Sequence, residues 1–101
     1  MNNEGIRAAL KKWRISRSAV ELEYGLISRW DTTYVTDMSG LFKHNHNFNE
    51  DISGWNVANV TTMEEMFYDA RVFNQPLEQW NVANVTTMAG MFQNASSYNQ
   101  P

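Results

Sequence analysis

The sequence predicts an α/β fold: a short solenoid with one short parallel strand and one two-turn helix per 25-residue repeat, behind an N-terminal helical cap. Two observations predict it. Trp30, Trp55 and Trp80 stand 25 residues apart, and Trp55–Met63 has the same sequence as Trp80–Met88. A fixed period of about 20 to 50 residues is typical of stacked units that bury their apolar faces against one another.

The first 29 residues do not repeat, and they predict a helical cap. Apolar side chains share one face of a helix, and basic side chains share the opposite face: the first set is Ile6, Ala9, Leu10 and Trp13, and the second is Arg7, Lys11 and Arg14. A capping box at Ser18 predicts a second helix that ends at Gly25. The domains are therefore residues 1–29 (cap) and 30–101 (array), with repeats at 30–54, 55–79 and an incomplete 80–101.

The helical half of each repeat is predicted from apolar spacing. Met63, Met66, Phe67 and Ala70 follow the i, i+3, i+4, i+7 pattern of one helix face. Helix starts are expected at the equivalent threonines, Thr36, Thr61 and Thr86. Such a helix is too short to be stable alone, so packing must hold it.

The extended half is predicted around Trp55–Val57, with equivalents at Asp31 and Asn81, because β-favouring residues occur there without a helical period. Successive repeats would then stack these strands in parallel. Recurring aromatic and asparagine positions predict a structural ladder: Trp30, Trp55, Trp80, Phe42, Phe67, Phe92, Asn49, Asn74 and Asn99. The asparagines are expected to bond backbone groups in the bends.

Composition and motifs give no support to catalysis. The chain has no cysteine and no Gly-rich phosphate loop, and no Ser/His/Asp set suggests a common pocket. His44 and His46 could share a metal ion, but two imidazoles without a nearby carboxylate or thiol make an incomplete set, so a solvated loop is favoured. We therefore expect no enzyme, no metal and no cofactor.

Charge is distributed unevenly along the chain. Residues 1–29 carry six basic against three acidic side chains, and residues 30–101 carry two against eight, within a net charge of −3. An acidic body repels a polyanion, so nucleic acid is not an expected partner. The sequence contains no run of 18 apolar residues, so it does not predict a membrane-spanning helix. The remaining partners are an unidentified protein or a second copy of the chain.

The repeat pattern Trp-Asn-Val-x-Asn-Val-Thr-x-Met-x-x-Met-Phe-x-x-Ala-x-x-Phe-Asn-Gln-Pro-Leu resembles the repeats of BspA-like bacterial surface proteins and mycoplasma-type lipoproteins. The cap and its junction around Tyr24–Asp31 resemble the start of such arrays. The resemblance implies a leucine-rich-repeat-like solenoid of unknown function, used at a cell surface or after secretion for adhesion or protein contact. It carries over no catalytic residue, and this chain shows neither a signal peptide nor a lipobox cysteine.

The third repeat is expected to leave an apolar edge bare: Trp80, Val82, Met88, Met91, Phe92 and Tyr98. An uncovered edge invites pairing with another chain. Either the sequence is a fragment of a longer surface-protein array, or another chain covers the edge; the fragment is favoured because the sequence stops within a repeat. Head-to-tail stacking of a basic head on an acidic tail is the alternative function.

The leading hypothesis is a non-catalytic repeat module for protein–protein interaction or adhesion. Its expected contact face is the exposed row of the predicted strands: Asp31, Asn56 and Asn81, with Thr33, Ala58 and Ala83 beside them. A second surface is suggested by positions that vary among the repeats: Ser39, Glu64 and Ala89; Lys43, Tyr68 and Gln93; Gly54 and Gln79. Asn59, Asn84 and Asn94 match the N-glycosylation pattern, but structural turns explain the first two as well.

Overall fold

Two helices begin the chain in the computed structural model, which describes residues 1–100. Helix α1 spans Asn3–Trp13 and helix α2 spans Arg17–Tyr24, followed by a short 3₁₀ turn at Ile27–Arg29. The backbone of the remaining described residues, 30–100, consists of turns, bends and irregular segments.

The predicted first helix is present as α1. Asn2 is its N-cap, and the Asn2 side chain accepts a hydrogen bond from the Gly5 N–H at 2.8 Å. Ile6, Ala9 and Leu10 are buried on one face. This apolar face packs on the first repeat, so the cap forms by burial of the side chains that the periodicity singled out.

The second helix begins two residues earlier than the capping box predicts. Ser16, not Ser18, is the N-cap of α2, and its side chain accepts from the Ala19 N–H at 3.3 Å. Glu21, the expected partner of Ser18, accepts from Arg17 instead at 2.9 Å. The predicted stop is correct, because Gly25 is the C-cap and adopts a φ of 80°.

The predicted α/β leucine-rich-repeat-like solenoid is wrong. Residues 1–100 contain no strand and no sheet, only isolated parallel bridges that join Asp37 to Thr62 and Thr62 to Thr87. The predicted strand at Trp55–Val57 is absent, and no helix follows Thr36, Thr61 or Thr86. The structure therefore does not support describing the repeats as a solenoid or as leucine-rich-repeat-like.

The backbone hydrogen bonds explain why the helical pattern does not form a helix. Met66, Tyr68 and Ala70 donate to carbonyls three residues earlier, as in successive tight turns. Glu65, just before Met66, and Asp69, just before Ala70, adopt left-handed φ values of 55° and 57°. A right-handed helix cannot pass through such residues. The i, i+3, i+4, i+7 spacing therefore reflects a chain of turns whose apolar side chains point inward.

Every second backbone N–H group along these turns donates a hydrogen bond to a carbonyl of the following repeat. Met38, Gly40, Phe42 and His44 of the first repeat donate to carbonyls of the second at 2.8–3.0 Å. The second repeat donates to the third in the same way, from Met63, Glu65, Phe67 and Asp69. These bonds join residues 24 apart, one fewer than the sequence period of 25, so the period keeps each repeat in hydrogen-bonding register with the next.

Aromatic side chains fill the interior in columns. Phe42, Phe67 and Phe92 stack with ring centroids 5.4 Å apart in both steps. A second column contains Phe48, Phe73 and Tyr98 at 5.8 and 5.9 Å. Because Phe42, Phe48, Phe67 and Phe73 are almost completely buried, these columns form the centre of the core.

Candidate functional site

The predicted contact face is exposed, but its polar groups are engaged in local turns. Asp31 Oδ1 accepts from the N–H and hydroxyl of Thr33 at 3.0 and 2.6 Å. Asn56 Oδ1 accepts from the Ala58 N–H at 3.0 Å, and Asn81 Oδ1 accepts from the Ala83 N–H at 3.1 Å. These side chains stabilise bends two residues ahead, which is an Asx-turn role.

The predicted ladder residues lie in columns. Asn49 Oδ1 accepts from the Asn74 N–H at 2.8 Å, and Asn74 Oδ1 accepts from the Asn99 N–H at 3.0 Å. Trp30 and Trp55 stack at 6.2 Å. Trp80 is held by its indole N–H, which donates to the Ile52 carbonyl at 3.1 Å. The columns link each repeat to the one before it.

The second predicted surface contains a small charged and aromatic group. Lys43 Nζ lies 2.9 Å from Glu65 Oε1 of the next repeat and 5.2 Å from the Tyr68 ring centre. Glu65 raises the pKa of Lys43 above its usual value.

Two of the asparagines that match the N-glycosylation pattern, Asn59 and Asn84, have a structural role. Their side-chain amides donate to the carbonyls of Thr33 and Ala58 at 2.8 and 2.7 Å.

The third repeat carries an apolar hollow of about 150 Å³. Its walls include all six residues of the predicted apolar edge, together with Met63, Leu77 and Glu78. Trp80 and Met91 are nearly buried at 8% and 7% exposure, whereas Val82 and Met88 are 37% and 42% exposed. The bare part of this edge is therefore centred on Val82 and Met88.

Backbone donors line the same edge. The N–H groups of Met88, Gly90, Phe92 and Asn94 are equivalent to those that join the first repeat to the second and the second to the third. Within residues 1–100, none of these four donates a hydrogen bond. We define the four N–H groups with the six apolar residues as the third-repeat edge. The equivalent donors of the first and second repeats pair with carbonyls of every second residue in the following repeat.

The opposite end of the repeats is closed by helix α1. Asn3 Oδ1 accepts from the N–H groups of Thr36 and Asp37 at 2.9 and 3.2 Å. Arg7 donates to the carbonyls of Asp37 and Ser39 at 3.5 and 2.8 Å. Because Asp37 and Ser39 correspond to acceptors used between repeats, the cap occupies part of the first repeat's pairing edge.

A cluster that sequence reasoning missed lies between the first two repeats. Asp69 Oδ2 is 2.9 Å from His44 Nδ1 and 3.0 Å from His46 Nε2. Local spacing gives the two histidines no carboxylate partner, because Asp69 is remote from them in sequence. The 25-residue period was the available signal, since it pairs position 44 with position 69.

Comparison with known protein families gives a match that includes all of the repeats. The family model described as "Mycoplasma protein of unknown function, DUF285" matches residues 12–101. The chain belongs to the DUF285 family. A search of curated proteins and a search of solved structures gave no significant match. Among the described residues 1–100 of this DUF285 protein, no helix has the length and apolar character needed to cross a membrane.

Proposed function

We propose that this DUF285 protein is a non-catalytic interaction module that pairs its third-repeat edge with a repeat-like segment of another protein. The observation that carries the proposal is the row of N–H groups at Met88, Gly90, Phe92 and Asn94, which lack acceptors within residues 1–100. Two of these residues, Met88 and Phe92, also line the apolar hollow. Main-chain hydrogen bonds would supply affinity, and apolar side chains entering the hollow would supply specificity.

The best complement is a segment of the same repeat type presented by the partner. The equivalent donors of the second repeat are satisfied by carbonyls of Thr87, Ala89, Met91 and Gln93 at 2.8–3.0 Å. A segment with this spacing would meet the third-repeat edge in the same register. The resemblance to BspA-like surface proteins supports the same reading, because adhesion there would bring repeat-bearing chains together.

Head-to-tail stacking of identical copies is the second candidate. The charge difference between the basic cap and the acidic repeats favours it. The geometry favours it less, because Arg7 already occupies the Asp37 and Ser39 carbonyls at the other end. A second copy would have to displace part of α1 before its first repeat could pair.

The test uses a synthetic peptide with the sequence of residues 55–79, titrated into ¹⁵N-labelled protein. We expect saturable shifts of the backbone amide signals of Met88, Gly90, Phe92 and Asn94. The Val82→Lys and Met88→Lys double variant should weaken binding, because it places two charges at the exposed part of the hollow.

Leu22→Lys is the matched control, because Leu22 is 91% exposed on helix α2. It should bind the peptide like the original chain. Equal shifts with a scrambled peptide, or no shift at the four amides, would contradict the proposal. Sedimentation velocity over a wide dilution range, at low and high salt, separates self-association from binding of a partner segment.

A further inference from the structure

Two imidazole nitrogens and one carboxylate oxygen converge where a turn of the first repeat lies beside the equivalent turn of the second. One ligand atom from each of His44, His46 and Asp69 lies within 4.8 Å of the other two. The chain contains only two histidines, and both belong to this cluster. Such a set combines the ligand types that zinc and related ions use in proteins.

The backbone holds the cluster in place. His44 and Asp69 occupy equivalent left-handed positions, with φ values of 58° and 57°. The His44 N–H donates to the Tyr68 carbonyl, and the Asp69 N–H donates to the Gln93 carbonyl, both at 2.8 Å. The cluster therefore rests on the inter-repeat hydrogen bonds and not on a free loop.

The third repeat has other residues at the positions equivalent to His44, His46 and Asp69. Asn94, with a φ of 60°, is equivalent to His44 and Asp69. Ser96 is equivalent to His46 and Arg71. Since asparagine and serine suffice for the turn, the turn itself does not require two histidines and an aspartate.

The Asp69 carboxylate presents one oxygen to the two histidines. A bound ion would replace the imidazole protons that now hydrogen-bond to Oδ2, since only an unprotonated ring nitrogen can be a ligand. Arg71 Nε lies 3.0 Å from Oδ1, so this second carboxylate oxygen is fixed by a partner of its own. Oδ2 is left facing the two imidazoles, and such outer contacts orient metal ligands.

We propose that His44 Nδ1, His46 Nε2 and Asp69 Oδ2 bind one divalent transition-metal ion of the zinc class. Zinc bonds of about 2.0–2.1 Å in a tetrahedral site place ligand atoms about 3.3 Å apart. The present separations from Asp69 Oδ2, 2.9 and 3.0 Å, need only slight widening. The His44 and His46 side chains are 54% and 44% exposed, so their rings have room to adjust their positions around an ion.

The ligand set also defines the class of ion. Two neutral imidazoles favour Zn²⁺, Co²⁺ or Ni²⁺ over Mg²⁺ and Ca²⁺, which prefer oxygen ligands. Three protein ligands leave a coordination position for water or a small anion. An open hollow of about 300 Å³, lined by both histidines and Arg14, lies beside the cluster and gives that position access to solvent.

The test measures uptake of zinc and cobalt chlorides by the untagged full chain near neutral pH. Isothermal titration should give one Zn²⁺ per chain, and Co²⁺ should give a visible absorption band that Zn²⁺ abolishes. His44→Asn, His46→Ser and Asp69→Asn place neutral polar side chains there. Asparagine and serine occur at the equivalent third-repeat positions, so these variants should remain folded. Each should lose affinity by more than the roughly 10- to 100-fold typical of removing an outer contact.

Asp51→Asn is the matched control, because Asp51 is exposed and accepts hydrogen bonds from Ser53 away from the cluster. This variant should bind zinc like the original chain, and circular dichroism should show that every variant is folded. Absence of saturable uptake would overturn the proposal. Uptake that persists unchanged in the His44→Asn and His46→Ser double variant would overturn it equally.

Discussion

Side chains at equivalent positions of successive repeats contact one another, so the contribution of a residue depends on which repeat carries it. Phe67 lies between Phe42 and Phe92, with ring centroids 5.4 Å away on both sides, and also packs on Phe73 at 4.2 Å. Phe92 has this stacking neighbour on one side only, together with Tyr98 at 4.1 Å. The same residue type is therefore central in one repeat and peripheral in the next.

Replacing Phe67 with alanine should reduce the free energy of unfolding by about 3–5 kcal/mol, because the side chain is fully buried and its removal leaves a cavity. Phe92→Ala should cost clearly less, since Phe92 is only partly buried. Urea unfolding of both variants checks the difference. Equal losses would mean that the third repeat is as tightly packed as the second.

At the scale of elements, α2 shows how a local motif can mislead. The Ser18–Glu21 pair has the spacing of a capping box, yet the helix begins earlier, at Arg17. Ser16 provides the side-chain acceptor, and Glu21 pairs with Arg17 within the helix. Both serines can cap in principle, and the neighbouring turn decides between them.

Ser16→Ala should therefore lower the free energy of unfolding by about 1 kcal/mol, the usual cost of losing an N-cap acceptor. Ser18→Ala is the matched control and should change it by no more than about 0.5 kcal/mol, as is usual for exposed positions. Chemical denaturation followed by circular dichroism measures both. A larger loss in Ser18→Ala would place the functional cap at Ser18.

At the scale of the whole molecule, aspartates with lowered pKa values occur from the start of the first repeat to the second. The Thr33 hydroxyl lowers the pKa of Asp31, the Ser39 hydroxyl that of Asp37, and the Ser53 hydroxyl that of Asp51. A carboxyl whose pKa is lower in the folded state stabilises the fold above its ordinary pKa. That stabilisation is lost as the pH falls through the lowered folded value.

The urea midpoint should therefore be constant near neutral pH and fall steadily below about pH 4. Asp37→Asn should reduce the fall, because the amide oxygen can still accept from Ser39 but does not titrate. Midpoints measured from pH 7 down to pH 2 check this expectation. A variant curve parallel to that of the original chain would exclude Asp37 as a source of the acid sensitivity.

The sequence by itself determined the 25-residue period, the amphipathic first helix with Ile6, Ala9 and Leu10 buried, and the Gly25 stop. These features depend on neighbours within one or two helical turns, or on repetition visible in the printed sequence. The repeat motif also indicated the kind of family, because Trp55–Met63 and Trp80–Met88 have the same sequence.

Only the tertiary structure decided how the repeat backbone is arranged. The N–H groups of Glu65, Phe67 and Asp69 have acceptors in the next repeat, so the local helical pattern had no means of revealing turns. Asp69 contacts His44 and His46 although it is remote from them in sequence, so local patterns did not reveal the cluster. The four donors of the third-repeat edge were likewise identified only from the hydrogen bonds between repeats. Hydrogen-bond partners 24 or more residues apart are chosen by packing, and local propensity does not contain that information.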